Sequence, residues 1–295
     1  MAAVIQRLSS LNKEFKRSAS RGRFVLFKVM ALAIFVAPLM GNQACSVSSE
    51  KLEYERAEAA TQKNEPEKAF EHFKNVVDRY VKTPMAIQAA KEAARLTHYE
   101  LKRPKEAVVY YKHIVLYSPS QEERTEAQKK LADLHFSQTL DYNQAIIELS
   151  RLLELPHTSQ EDYAYRLNIA RSYFYLSNFY QAQVEVDSIL NRGYAKELLF
   201  DALLLKANIS LTTKDLDEAI ATLKQLLEKY PERSKTETIG LMLAVTYEEQ
   251  KNYAKAIETL ESIKNIYPRR AFIEHKIKTL KERQSYLPGA RGWRK

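Results

Sequence analysis

The sequence predicts an all-α protein built as a solenoid, in which about six helix-turn-helix repeats are followed by a C-terminal capping helix. An alanine recurs at spacings of 38, 38, 37, 37 and 37 residues, at positions 69, 107, 145, 182, 219 and 256. Apolar residues follow each alanine after four and after seven positions, which marks one face of an α-helix. Only Gly193 and Gly240 lie between residue 45 and the C-terminal tail, so glycine interrupts this pattern rarely.

The N-terminal segment, residues 1–44, has the order of residue types found in secretory signals, with a basic part before an apolar part. The apolar run over 29–40 has 12 residues, whereas a membrane-spanning helix needs about 20. We therefore expect residues 1–44 to be a cleaved signal peptide. The alternative is an uncleaved inner-membrane anchor over residues 24–40.

Residues 40–45, Met-Gly-Asn-Gln-Ala-Cys, resemble the lipobox of bacterial lipoproteins. Ala44 matches the small residue before the cysteine, whereas Asn42 stands where those boxes usually have leucine. The resemblance implies that residues 1–44 are a signal peptide of the lipoprotein type, that Cys45, the only cysteine of the chain, is acylated, and that residues 45–50 form a lipidated linker. Ser46 in place of aspartate implies sorting to the outer membrane. A free thiol behind an uncleaved anchor is the alternative.

The formal net charge of +9 is concentrated at the two ends of the chain. Residues 1–44 contribute +6 and residues 281–295 contribute +4, which leaves −1 for residues 45–280. A nearly neutral body offers no continuous basic face for phosphate groups. We therefore expect no nucleic-acid partner.

The chain lacks the motifs that most cofactor sites and catalytic centres require. With so few glycines, no phosphate-binding loop and no nucleophile elbow is present. The six histidines form no recognised metal motif, although His98 and His135 fall at nearly equivalent positions of adjacent repeats. The sequence therefore predicts no cofactor, no metal, no catalytic residue and no enzymatic activity.

Each repeat divides into a first helix, a turn and a second helix. A small residue is expected 12 positions before the recurring alanine, where the two helices pack closest, and the last three repeats have Ala170, Ala207 and Ala244 there. In repeats two and three the alanine lies one place earlier, at Ala94 and Ala132, so we expect the first helix or its turn to differ by one residue. Capping-box patterns precede the first helices of repeats three, four and six, at Ser120, Thr158 and Ser234.

These features resemble tetratricopeptide repeats, whose motif has a small residue in the first helix, a turn with Asp or Asn before an aromatic residue, and an alanine in the second helix. The resemblance covers residues 50–268 and implies a right-handed α-solenoid. A repeat of 37 or 38 residues is longer than the usual 34 and resembles the repeats of BamD-like outer-membrane lipoproteins and of the Tol-Pal coordinator. We assign residues 51–283 to the solenoid with its capping helix, and 284–295 to a basic flexible tail.

Partner-binding residues are predicted on the first helices, which line the concave surface of such arrays. Arg171, Tyr175, Asn208 and Glu248 are the candidates, and Arg171 and Asn208 occupy equivalent positions. Their alternative role is that of an ordinary solvated surface. Trp293 in the basic tail is a further candidate contact.

The sequence therefore predicts a scaffold that binds other proteins. By resemblance, it would be anchored through a lipid at the periplasmic face of the outer membrane, with partners in outer-membrane protein assembly or envelope maintenance. The alternatives are an adaptor or regulator of a peptidoglycan or Tol-Pal-type complex, and an inner-membrane-anchored protein of the same fold.

Overall fold

The computed structural model describes residues 49–236 and 238–286 of the 295-residue chain, and every regular element in these ranges is helical. The chain divides into two compact units, one ending at Ala93 and one beginning at Ala94. In chain order the α-helices are α1 (49–62), α2 (Pro66–Arg79), α3 (Pro84–Arg95), α4 (Pro104–Tyr117), α5 (Gln121–Asp133), α6 (Tyr142–Leu153), α7 (Ser159–Tyr175), α8 (Phe179–Leu190), α9 (Phe200–Thr212), α10 (Leu216–Lys229), α11 (Pro231–Thr236), α12 (Ile239–Glu249), α13 (Tyr253–Ile263) and α14 (Arg270–Ser285).

The recurring alanines lie where the sequence places them, on the buried face of the second helices α2, α4, α6, α8, α10 and α13. All six are fully buried. The residues four positions later are buried as well, from Phe73 in α2 to Leu260 in α13. An alanine at the point of closest approach lets neighbouring helices come together without a bulky side chain between them. The repeat prediction and the all-α fold class are confirmed.

A residue in the left-handed conformation lies between the first and second helix of every repeat. Six residues with φ between 53° and 65° stand five positions before the recurring alanines, and none is glycine: Asn64, Lys102, Leu140, Ser177, Lys214 and Lys251. In repeat six the next amide, that of Asn252, donates to the carbonyl of Tyr247 at 2.8 Å. This is the bond of a Schellman motif, which satisfies a carbonyl left free at a helix end.

The residue after the left-handed position also starts the second helix. In repeats three to six an Asp or Asn side chain accepts from the backbone amide three residues on, as Asn252 does from Lys255. In repeats one and two no side chain caps the helix, and Pro66 or Pro104 begins it instead. Proline suits this position because it has no amide hydrogen that would need an acceptor.

Two π-helical segments explain the one-residue shift between repeats. Leu96–Glu100 continues α3, and Leu134–Gln138 continues α5. A π-turn contains one residue more than an α-turn, so the extra residue of the two 38-residue spacings is taken up there. As a result Ala94 and Ala132, rather than the residues after them, lie buried at the helix contact. The predicted difference of one residue is confirmed.

The predicted capping boxes have three different outcomes. Thr158 and Glu161 form the complete reciprocal box at the start of α7. Ser120 accepts from the amide of Glu123, but the carboxylate of Glu123 accepts from the hydroxyl of Ser118 instead. The prediction for Ser234 is wrong, because this residue lies inside α11, where its buried hydroxyl donates to the carbonyl of Leu226 at 2.9 Å.

The last helix, α14, covers the apolar face that repeat six would otherwise expose. Ile273, Ile277 and Leu280 are buried in one core cluster with residues of α9, α10, α12 and α13. Polar side chains of α14 such as Glu274, Lys278 and Lys281 line an open groove between α13 and α14. α14 therefore buries one apolar face against repeat six and exposes mostly charged side chains to solvent, as a capping helix does.

Across the described ranges, no helix combines the length and the apolar character required to traverse a bilayer.

Candidate peptide-binding surface

The equivalent positions Arg171 and Asn208 lie on α7 and α9, each directly after a fully buried alanine. Both side chains are partly buried. The same position on α12 is occupied by Val245, whose side chain is 43% exposed. The three first helices therefore present a cation, an amide and an apolar group in the same register.

Arg171 takes part in an ion-pair network that joins α7, α9 and α11. Its Nη2 atom lies 3.5 Å from Asp201 Oδ1, and Nη2 of Arg233 lies 2.9 Å and 3.0 Å from the two oxygens of the same carboxylate. The Arg233 guanidinium also stacks 4.1 Å above the ring of Phe200. One carboxylate thus orients two guanidinium groups, each of which keeps further donors for other acceptors.

The buried Tyr163 lies close to this network. Burial raises the pKa of its hydroxyl to about 12, and the negative charge of Asp201 acts in the same direction. The hydroxyl therefore stays protonated at neutral pH, and the network carries the charge of two arginines against one aspartate.

An apolar groove of about 450 Å³ lies between α9 and α12. Its apolar lining comes from Leu211 of α9 and from Leu241, Met242 and Val245 of α12. An ion pair between Lys214 and Glu249 lies at the turn end of the groove. The groove is open to solvent and has the chemistry needed to accept an apolar side chain of another protein.

Tyr175 belongs to a different part of the surface, at the turn end of α7. Its ring stacks on Tyr142, with the centroids 4.8 Å apart and the planes at 27°, and it also faces Phe136 at 6.3 Å. The side chain remains 54% exposed. Tyr175 is thus an accessible aromatic group held in a fixed orientation by its neighbours.

Glu248 is occupied by contacts within the protein. Its two carboxylate oxygens pair with Lys276 Nζ at 2.5 Å and with Arg283 Nη1 at 2.6 Å. Both cations belong to α14, so this carboxylate helps to attach the last helix to α12. The remaining predicted site residues, Cys45 and Trp293, lie outside the described residues.

His98 and His135 lie in the two π-helical segments and make separate contacts. His98 Nδ1 is 3.3 Å from the hydroxyl of Tyr111, and its Nε2 is 2.9 Å from the amide nitrogen of Gln138. His135 Nδ1 contacts the hydroxyl of Thr139 at 3.4 Å. Burial lowers the pKa of both imidazoles. In the part of the chain that the structure covers, no three His, Cys, Asp or Glu side chains converge as metal ligands would.

Sequence reasoning missed several residues of this surface. Val245 could have been found by extending the 37-residue register from Asn208 by one more repeat. Arg233 could not, because it lies on α11, a helix that the repeat pattern does not contain. Asp201 could not, because its pairing with Arg171 and Arg233 depends on how the helices pack.

Comparisons with known proteins agree with the repeat interpretation. Residues 211–272 match the family model described as "Tetratricopeptide repeat". No curated protein matches the chain significantly.

Solved structures of similar fold include a tetratricopeptide repeat protein from Parabacteroides merdae, at 16% identity over 81% of this chain and 89% of that one, with a TM-score of 0.46. PilW, a type IV pilus biogenesis factor, matches at 13% identity over 74% and 93%, with a TM-score of 0.47. The Naa15/Naa10 complex bound to HypK-THB matches at 15% identity over 79% of this chain and 39% of that chain, with a TM-score of 0.52.

The family match covers α10 to α13 and the first three residues of α14, and the other repeats share the buried alanine, the left-handed residue and the helix pair of repeat six. The chain therefore has the fold of a tetratricopeptide-repeat solenoid, and the family match itself covers residues 211–272.

Proposed function

We propose that this protein is a non-enzymatic scaffold that binds a segment of a partner protein on the first helices of repeats four to six. The observation that carries the proposal is the exposed apolar groove between α9 and α12. Side chains of a bound segment would enter the groove beside Val245 and Met242, while Asn208 and Arg171 would supply donors for its polar groups. The adaptable side chain of Met242 suits a surface that accommodates a partner's side chains.

Photo-crosslinking tests this binding surface directly. A benzophenone side chain is placed at Val245 or, as a matched control, at Val184 on α8, which is 42% exposed against 43% for Val245. We expect a specific adduct from position 245 in intact cells and none from position 184. An equal pattern at both positions, or none at 245, would contradict the proposed surface.

The location is proposed as the periplasmic face of the outer membrane, through a lipid on Cys45. This proposal is supported by the resemblance of residues 40–45 to a lipobox and by the position of the helical array, which begins almost immediately afterwards. Cys45→Ala should abolish labelling by palmitate and release the protein from the membrane fraction. Unchanged labelling, or a mature protein that retains Met1, would rule out lipid anchoring at Cys45.

The partners are proposed to be components of outer-membrane protein assembly or of envelope maintenance. Mass spectrometry of the adduct from position 245 identifies the partner. Recovery of β-barrel assembly subunits would support the first class, and recovery of Tol-Pal or cell-wall proteins would support the adaptor role in such a complex.

A further inference from the structure

The connection between α8 and α9 is the longest between two helices in the described ranges. Nine residues, 191–199, separate Leu190 from Phe200. Gly193 has φ +75° and turns the chain after α8, and Lys196–Leu198 forms a single 3₁₀ turn before α9. A segment of this length needs its own anchoring contacts to hold one conformation.

The first half of the connection is anchored to α7. The hydroxyl of Tyr194 donates to Asp162, whose carboxylate also accepts from Arg166 Nε at 2.9 Å. The Tyr194 ring meets Tyr163 edge to face at a centroid distance of 5.4 Å. This half is therefore fixed by a charge-assisted hydrogen bond and by an aromatic contact.

The second half is anchored to the end of α10. The hydroxyl of Tyr230 donates to the carbonyl of Lys196 at 2.6 Å, and the Tyr230 ring packs against Phe200 at 5.5 Å. Leu198 and Leu199 pack on the core cluster of repeats four and five. The connection thus forms a wall of defined shape beside α9.

Behind this wall lies a cavity of about 580 Å³, bordered by α8, the connection, α9 and α10. Its apolar surface is formed by Leu190, Leu199 and Leu203, and the ring of Tyr230 lies at one side. The amides of Asn191 and Gln225 add neutral hydrogen-bonding groups. The cavity is large enough for a small organic molecule.

The charged groups of the cavity are mostly cationic. Lys206 is held in place by Glu218 at 2.7 Å and Asp187 at 3.6 Å. Lys196 and Lys229 stand at the rim, and within the described residues neither ammonium group has a carboxylate within 4.0 Å. Two lysines without a carboxylate partner in the described residues therefore line the cavity together with its leucines, and Lys196 Nζ also lies 6.0 Å from the ring centroid of Tyr230.

We propose that this cavity binds a small organic anion that carries an apolar part. The anionic group lies between the ammonium groups of Lys196 and Lys229, and the apolar part rests on the three leucines and on the ring of Tyr230. Each rim lysine by itself would attract an anion weakly, because it is exposed to water. Together, on a fixed wall and next to apolar surface, they favour a ligand that has both features. This site is separate from the groove between α9 and α12, so its test does not depend on the proposed scaffold function.

The test uses the full chain in a nonionic detergent and three soluble probes, monitored by saturation-transfer NMR titration. Phenylacetate and phenyl phosphate combine a ring with an anionic group and distinguish a carboxylate from a phosphate preference. Phenylacetamide has the same ring without charge. We expect at least one of the two anions to bind at least about fivefold more tightly than the amide, with an affinity that falls as salt is added.

Three variants assign the binding to this cavity. Lys196→Gln and Lys229→Gln should each weaken binding of the preferred anion by about fivefold, whereas the control Lys224→Gln, on α10 but outside the cavity lining, should leave it unchanged. Thermal unfolding followed by circular dichroism verifies that all three variants fold. The proposal is overturned if neither anion binds better than phenylacetamide, or if the rim variants bind as tightly as the Lys224 control.

Discussion

Glycine at the left-handed turn of repeat six should stabilise the protein, although glycine usually weakens helical structure. Lys251 has φ 61°, and its side chain is exposed without a carboxylate within 4.0 Å in the described residues. A side chain with a Cβ atom costs about 1–2 kcal/mol in this conformation, and the flexibility that glycine adds to the unfolded chain costs about 0.5–1 kcal/mol. Lys251→Gly should therefore raise the free energy of unfolding by about 0.5–1 kcal/mol.

Two control variants isolate the backbone effect. Lys251→Ala keeps the Cβ atom and should change stability by less than about 0.3 kcal/mol, since no side-chain contact is lost. Lys112→Gly, at an exposed position inside α4, should lower stability by about 1 kcal/mol because φ is negative there.

The assay is urea unfolding followed by far-UV circular dichroism, together with hydrogen exchange of the Asn252 amide. The exchange measurement is needed because repeats in an array can open separately, so a global transition can average over them. The Asn252 amide reports on the turn itself through its bond to Tyr247. If Lys251→Gly is no more stable than Lys251→Ala, and the Asn252 amide exchanges equally fast in both, the conformational argument is refuted.

Three further predictions follow from contacts described above. Glu248→Gln should weaken the attachment of α14 by about 1–2 kcal/mol, which should be measured as faster hydrogen exchange of residues 270–285. The control Glu249→Gln removes an exposed ion pair and should lower stability by less than about 0.5 kcal/mol. Ala219→Leu should destabilise the protein by about 1–3 kcal/mol because Ala219 is fully buried, whereas Ala221→Leu, exposed on the same helix, should be nearly neutral in thermal unfolding. Burial raises the pKa of Asp162, but hydrogen bonds from Tyr194, Arg166 and His157 outweigh this effect and bring the pKa to about 2, below the ordinary 3.8. The stability that Asp162 contributes is therefore present above about pH 4 and is lost toward pH 2. Asp162→Asn should flatten the acid limb of the pH–stability curve.

Helix phase was predictable to the residue in most of the chain. The six alanines define the buried face of the second helix in each repeat. The shift at Ala94 and Ala132 already indicates an additional residue in the first helix, or its turn, of repeats two and three. The sequence could not specify whether the additional residue lengthens the turn or is accommodated in a π-helical segment, because both solutions add one residue to the repeat. The backbone takes the second solution, which keeps a left-handed residue five positions before the alanine in all six repeats.

The candidate sites were predictable only in part. Register alone places Arg171 and Asn208 on equivalent positions, since spacing along a repeat translates directly into position on a helix face. It does not reveal that Asp201 and Arg233 orient Arg171, or that Lys276 and Arg283 occupy Glu248. These partners come from segments 28–35 residues away, on helices whose approach depends on packing.

The sequence by itself determined the repeat unit, its length, the buried face of each helix and the need for a capping helix. Apolar residues recur at fixed spacings along the chain, and this periodicity specifies which side of each helix is buried. The tertiary structure alone decided which polar groups neutralise one another and which remain accessible. It joins Glu248 to α14, opens a groove beside Val245 and holds the connection of residues 191–199 around a cavity. The physical reason is that burial pattern is a local, repeating property, whereas charge pairing and cavities depend on distances between side chains that only the packed helices define.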